Sequence, residues 1–220
     1  MINIVDIRKT YQFNGLKVEA LSGVSLKIDR GAFVALMGPS GSGKTTLMNI
    51  IGCLDTPSGG DYFLDGRNVA GLTEDQLSEV RSFDIGFVFQ SHNLLARNTA
   101  LENVCLPLYY RKETDPKGKA IKALKRVGLE KRKNHFPNQL SGGESQRVAI
   151  ARAIVTKPKI ILADEPTGNL DTKTGAGIME ILKELNQSGV TVLIVTHDAE
   201  VASNASRTIK IRDGKLESFV

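Results

Sequence analysis

The sequence predicts an α/β fold: a mainly parallel, buried sheet with an N-terminal antiparallel β region and an inserted helical subdomain. Three observations predict it. Gly38-Pro39-Ser40-Gly41-Ser42-Gly43-Lys44-Thr45 stands between an apolar, β-compatible run, Phe33–Met37, and a helix-compatible run, Thr46–Ile51, so strand, glycine loop and helix follow one another. Ile160–Ala163 and Val190–Val195 are apolar runs of strand length, as strands buried on both faces require. Ile2–Ile7 alternates apolar and polar residues, the period of a half-buried strand.

The elements follow in order. After the opening strand, Tyr11 falls in a short polar stretch and Ala20–Ile28 reads as a second strand. Asp29-Arg30-Gly31 then turns the chain into Phe33–Met37, so the opening third is expected to be β-rich and antiparallel up to the glycine loop. Asp55–Gly60 is a break, Asp61–Leu64 a short strand, and Asp65-Gly66 a turn dipeptide. Thr73-Glu74-Asp75-Gln76 resembles a capping box opening a helix to about Ser82, and Ile85–Phe89 is a core strand ending at Gln90. From about Ser91 to Asn138 the pattern turns helical, with Thr99–Leu108 and Pro116–Val127 carrying Lys and Arg on the outer face. Leu140–Gly143 breaks that pattern, Glu144–Val155 is a helix, and Thr172–Asn186 is another, ending near Gly189. Arg207–Ile211 and Lys215–Phe219 flank Asp213-Gly214, a hairpin signal. Residues 1–220 thus read as a single domain, with a β core of 1–90 and 157–220 and a helical subdomain at about 91–156.

Composition narrows the function classes. The 220 residues, 41% hydrophobic and 24% charged, can bury a substantial core. A net charge of +5 from 29 cations and 24 anions is too slight to predict nucleic-acid binding. The basic density at Lys117–Lys133 reads as a solvated helical face. Cys53 and Cys105 lie far apart and read as small buried hydrophobes in a reducing cytosol. Met1–Asp6 carries an acid early and no long apolar run, so no signal peptide is expected. No apolar run approaches membrane-spanning length, so any membrane role is expected to come through a partner chain.

The glycine loop fits G-x-x-x-x-G-K-[ST], the phosphate-binding loop of a P-loop NTPase core. Its glycines let backbone N–H groups turn inward on a phosphate, and the helix N-terminus adds partial positive charge. Lys44 can reach the β- and γ-phosphates, and the Thr45 hydroxyl can ligate Mg²⁺. Asp164, directly after Ile160–Ala163, can hold Mg²⁺ through water. Glu165 can polarise an attacking water as general base. Ionised groups between four apolar residues and Pro166 would be costly without such a task.

Leu140-Ser141-Gly142-Gly143-Glu144 resembles the signature motif of ATP-binding cassette (ABC) ATPases, and the other landmarks of that family stand in order. Gln90 matches the Q-loop glutamine, Ile160–Glu165 the Walker B strand with its catalytic glutamate, Gly168-Asn169-Leu170-Asp171 the D-loop, and Thr196-His197-Asp198 the switch-histidine loop. The resemblance implies ATP and Mg²⁺ as ligands. Tyr11 would stack on adenine, and Gly38, Ser40, Gly41, Ser42, Gly43, Lys44, Thr45 and Thr46 would cradle the phosphates. Thr45, Gln90 and Asp164 would hold the metal, with Glu165, His197 and Gln90 as the catalytic set. Ser141, Gly142 and Gly143 would bind the γ-phosphate of ATP held by a second copy, so that two chains sandwich two ATPs head to tail, with Asp171 acting across the boundary. Glu144 departs from the usual glutamine, and its side chain is expected to point away from the phosphate.

Only 119 residues separate Lys44 from Asp164, without the coiled coil of DNA-repair relatives. A lone cassette looks like the ATPase subunit of a transporter whose permease is separate, placed on the cytoplasmic, inner face of the cell membrane. Asn49–Asp55, Gly86–Gln90, Leu94-Leu95, Thr99–Val104 and Leu106-Pro107-Leu108 resemble the lipoprotein-releasing and macrolide- or peptide-exporting type (LolD/MacB-like). Ser91–Leu108 would then meet the permease, which chooses the cargo: a lipoprotein, a peptide or an amphiphilic drug. An ABC ATPase driving a signalling or cell-division complex, or a soluble regulatory machine, is the alternative.

Overall fold

The computed structural model describes residues 1–13 and 15–219. Two sheets form. The first is antiparallel, in the order β2-β1-β4-β5, from β1 (Ile2–Phe13), β2 (Leu16–Ile28), β4 (Gly59–Leu64) and β5 (Arg67–Asn68). The second has six strands in the order β10-β9-β3-β8-β7-β6. It is built from β3 (Phe33–Met37), β6 (Ile85–Val88), β7 (Ile160–Asp164), β8 (Thr191–Thr196), β9 (Arg207–Arg212) and β10 (Lys215–Phe219). Every pairing in it is parallel except β9 with β10.

The continuous apolar runs follow from this position. Successive side chains of a strand alternate between faces, and both faces here are covered. Val34, Leu36, Leu162, Leu193 and Val195 join the antiparallel sheet and helix α1 (Lys44–Ile51) in one core. Phe33, Ala35, Ile161, Ala163, Val192 and Ile194 join the other core. Helices α3 (Ala100–Tyr110), α4 (Pro116–Arg126), α5 (Gly142–Ile154) and α6 (Thr172–Gln187) complete that second core. Helix α2 (Glu74–Asp84) precedes β6, and α7 (Ala199–Ala202) follows β8.

Local chemistry sets the boundaries. The Thr73/Gln76 capping box opens α2, and a second box, Thr99/Glu102, opens α3; each side-chain cap contributes about 1 kcal/mol. Asp213-Gly214 is a two-residue turn in which both residues have positive φ, as a type I′ hairpin demands.

Three expectations need correction. Tyr11 does not lie in a polar connection but within β1, opposite Val18. β3 does not continue the antiparallel region; it pairs in parallel with β8 and β9. A strand's partners depend on the chain's long-range path, which local alternation does not encode. The third concerns α5, which starts at Gly142 rather than Glu144. Ser141 supplies its N-cap, and the tertiary packing of the helix outweighs the low propensity of the two glycines.

Candidate nucleotide and catalytic site

The parallel strands bring the site together at one edge. Met37 at the end of β3 is level with Thr196 of β8, and Asp164 at the end of β7 is level with Val195. Val88, level with Ala163, ends β6 two residues before Gln90. The glycine loop, Asp164-Glu165, His197 and Gln90 therefore leave from the carboxyl ends of neighbouring strands, where ligands of open α/β sheets bind.

The loop is preset for an anion. Gly41 and Gly43 have φ of 76° and 100°, values open to glycine and strained for other residues. Gly43 is the N-cap of α1, so no side chain caps the helix, and its first turn holds no acid. The helix N-terminus therefore presents its N–H groups outward. Ser42 Oγ is buried without a partner. Lys44 Nζ donates back to the carbonyls of Gly38 at 2.8 Å and Pro39 at 2.7 Å. Ser40 and Thr45 are exposed and Thr46 half-buried.

The carboxylates are set differently from each other. Asp164 is half-buried; burial raises its pKa, the Glu165 charge adds to this, and Lys44 opposes it. A second cation beside Asp164 would relieve that penalty. Among the described residues no three His, Cys, Asp or Glu side chains cluster as a metal site. Glu165 is held at five points, one of them its carbonyl, which accepts from the Gly168 N–H at 3.1 Å. Its N–H reaches the Val195 carbonyl at 2.9 Å. Its carboxylate accepts from Thr196 Oγ1 at 3.1 Å and from the His197 N–H at 3.0 Å. It also meets His197 Nδ1 at 2.6 Å. That bond and the carboxylate's charge raise the His197 pKa, although the imidazole is 75% exposed.

Gln90 Nε2 lies 3.4 Å from Asn169 Oδ1, and Asn169 Nδ2 donates to the Gln90 carbonyl at 3.3 Å. Tyr11 donates its hydroxyl to Asp55 at 2.7 Å, and Asp55 also takes Lys9 Nζ at 2.5 Å. The Lys9 ammonium lies 4.9 Å from the centre of the Tyr11 ring, a cation–π contact. Lys9, Asp55, Thr196 and Asn169 thus orient predicted site residues. Thr196 and Asn169 fall inside the motifs already read from the sequence, whereas the pairing of Lys9 and Tyr11 with Asp55 spans more than forty residues and has no local signal.

Ser141, Gly142 and Gly143 are not part of this cluster. They begin α5, on the sheet face opposite α1. Ser141 Oγ accepts from the Glu144 N–H at 3.2 Å, and the Glu144 carboxylate accepts from the Ser141 N–H at 2.9 Å. The other Glu144 oxygen takes Arg132 Nε at 3.0 Å. The carboxylate is thereby folded back on its own helix cap; the Ser141 hydrogen bond leads the influences that lower its pKa.

The chain is similar to known proteins along its whole length. The family model described as ABC transporter matches residues 21–168. The macrolide export ATP-binding/permease protein MacB of Bdellovibrio bacteriovorus is 54% identical over 99% of this chain and 34% of its own length. The chain thus spans about a third of the MacB relatives it matches. An uncharacterized ABC transporter ATP-binding protein of Thermotoga maritima is 49% identical over 100% of this chain and 94% of its own length. A dimeric structure of a post-hydrolysis state of the ATP-binding cassette MJ0796, bound to ADP and Pi, superposes with a TM-score of 0.93. It is 47% identical and covers 100% of this chain and 98% of its own.

Proposed function

The chain belongs to the ABC transporter family, and from that premise we propose that it binds ATP with Mg²⁺, hydrolyses ATP, and drives a separate membrane permease. One observation carries the reading: Lys44, Asp164, Glu165 and His197 converge beside a helix N-terminus that no side chain caps. Lys44 would exchange the carbonyls of Gly38 and Pro39 for phosphate oxygens, and the N–H groups at the start of α1 would take the same phosphates. Mg²⁺ held by Thr45, Asp164 and Gln90 would neutralise charge on the phosphoryl group. Glu165 would take the proton of the attacking water, and His197 would hold the carboxylate and reach the γ-phosphate. Tyr11, clamped by Asp55 and Lys9, would stack on adenine. Because Ser141–Gly143 lie on the other sheet face, a second copy would have to bring its own to close this site. The relative that pairs as a dimer around ADP and Pi supports that arrangement.

The test is phosphate release by the purified chain. MgATP turnover that EDTA abolishes is the expected result; no turnover in either condition, with ATP bound, rejects the reading.

The permease contact is proposed for a groove of about 880 Å³ where α2, β6, α3 and α5 meet. Residues 91–156, taken as the helical subdomain, form one wall. Exposed Leu54, Phe83 and Tyr110 line it together with Leu106 and Pro107 from the predicted docking segment. Arg111 stacks on Phe83 at 4.2 Å. Among the described residues no helix is long and apolar enough to cross a membrane. With the permease seated in this groove, we place the chain at the inner membrane face. MacB relatives are named as macrolide exporters, and export of a macrolide, peptide or lipoprotein is the cargo class we propose. Phe83→Glu, which Arg111 can pair with, is expected to cut recovery of the permease in co-purification at least tenfold. Undiminished recovery moves the dock elsewhere.

A further inference from the structure

The helix that begins at Ser141 reaches the catalytic strand end from below. Gln146, in the second turn of α5, is 1% exposed. Its Nε2 donates to the Pro166 carbonyl at 2.8 Å, while its Oε1 is buried with no partner. A buried polar atom without a partner costs stability, and an apolar side chain of the same length would avoid that cost. The retained amide points to a task at Pro166.

Pro166 follows Glu165, whose φ is 43°. That is the left-handed region, unfavourable for a residue with a Cβ and more so before proline. Such a conformation persists where its surroundings over-determine it. The Val195 carbonyl holds the amide side of Glu165, and Thr196 and His197 hold the carboxylate. Gln146 holds the chain beyond the Glu165–Pro166 peptide, through the one backbone hydrogen-bonding group that proline retains.

We propose that Gln146 is a positioning residue for Glu165. By fixing the Pro166 carbonyl it sets the backbone from which the carboxylate is aimed. Because Gln146 rides on the helix whose first turn carries Gly142 and Gly143, phosphate seated on that turn in a pair of copies would adjust the general base in the same chain. The inference rests on the proposed role of Glu165.

Gln146→Met keeps the length, removes the donor and removes the unpartnered oxygen. Steady-state ATP hydrolysis is expected to lose at least tenfold in kcat, with KM for ATP within twofold and a melting temperature within a few degrees of the parent. Gln146→Glu can donate to Pro166 only when protonated, so its rate relative to the parent is expected to rise as pH falls. Parent-like kcat in Gln146→Met overturns the inference, as does a loss that comes with an equal fall in melting temperature. A parent chain without hydrolysis rejects the functional reading instead, so the two failures are distinct.

Discussion

Glu165→Gln is expected to slow ATP hydrolysis roughly 10²–10⁴-fold, the range general-base catalysis supplies, while ATP binding and ATP-driven pairing of two copies persist. The geometry explains the selectivity. The Glu165 side chain, 16% exposed, is surrounded by groups that donate to it: Thr196 Oγ1, the His197 N–H and His197 Nδ1. It is held as an acceptor, oriented and short of water. Glutamine keeps the volume and one acceptor oxygen but cannot take a proton. Lys44, the α1 N-terminus and Ser141 are untouched, so affinity for ATP is retained. Single-turnover phosphate release gives the rate, and gel filtration with MgATP shows whether the paired form accumulates. Hydrolysis at the parent's rate would remove Glu165 from the mechanism. The same variant carries a second readout. His197 owes its raised pKa first to the Glu165 hydrogen bond and then to the carboxylate's charge. Its imidazole titration followed by NMR is therefore expected to fall toward that of an ordinary histidine in Glu165→Gln.

Lys44→Ala is expected to weaken ATP binding roughly ten- to hundredfold, from the 1.5–3 kcal/mol typical of a hydrogen bond to a charged group. The ammonium already sits over the loop on two neutral carbonyls. Phosphate oxygens would replace those acceptors with stronger, charge-assisted ones. The loop has braces besides Lys44. The Gly214 N–H donates to the Ser42 carbonyl at 3.0 Å, and a Cβ on Gly38 would overlap the Ile211 carbonyl, so the β9–β10 hairpin braces the loop from outside. Isothermal titration with ATP measures the change. Unaltered affinity would place the phosphates away from Lys44.

Much of this architecture was legible in the residues. The order strand, glycine loop, helix needs only local chemistry, and so do the Thr73 cap and the Asp213-Gly214 hairpin. The runs Ile160–Ala163 and Val190–Val195 announced strands covered on both faces because period-2 side chains must then all be apolar. The motifs bearing Lys44, Asp164, Glu165 and His197 were readable for the same reason: each follows its strand directly, and parallel strands deliver such positions to one edge.

What the sequence by itself determined is the family's motifs and the short elements that present them, since those depend on neighbours a few positions away. Only the tertiary structure decided their partners. It put β3 among parallel strands, set Tyr11 on Asp55, folded Glu144 back onto Ser141 and Arg132, and placed Gln146 against Pro166. It also set Ser141–Gly143 at the start of α5, a helix of the core opposite the one that holds α1. Most of these contacts join side chains or backbone groups distant along the chain, and they form only when both sheet faces are covered. The Ser141–Glu144 capping box is the local exception among them; no local pattern encodes the others.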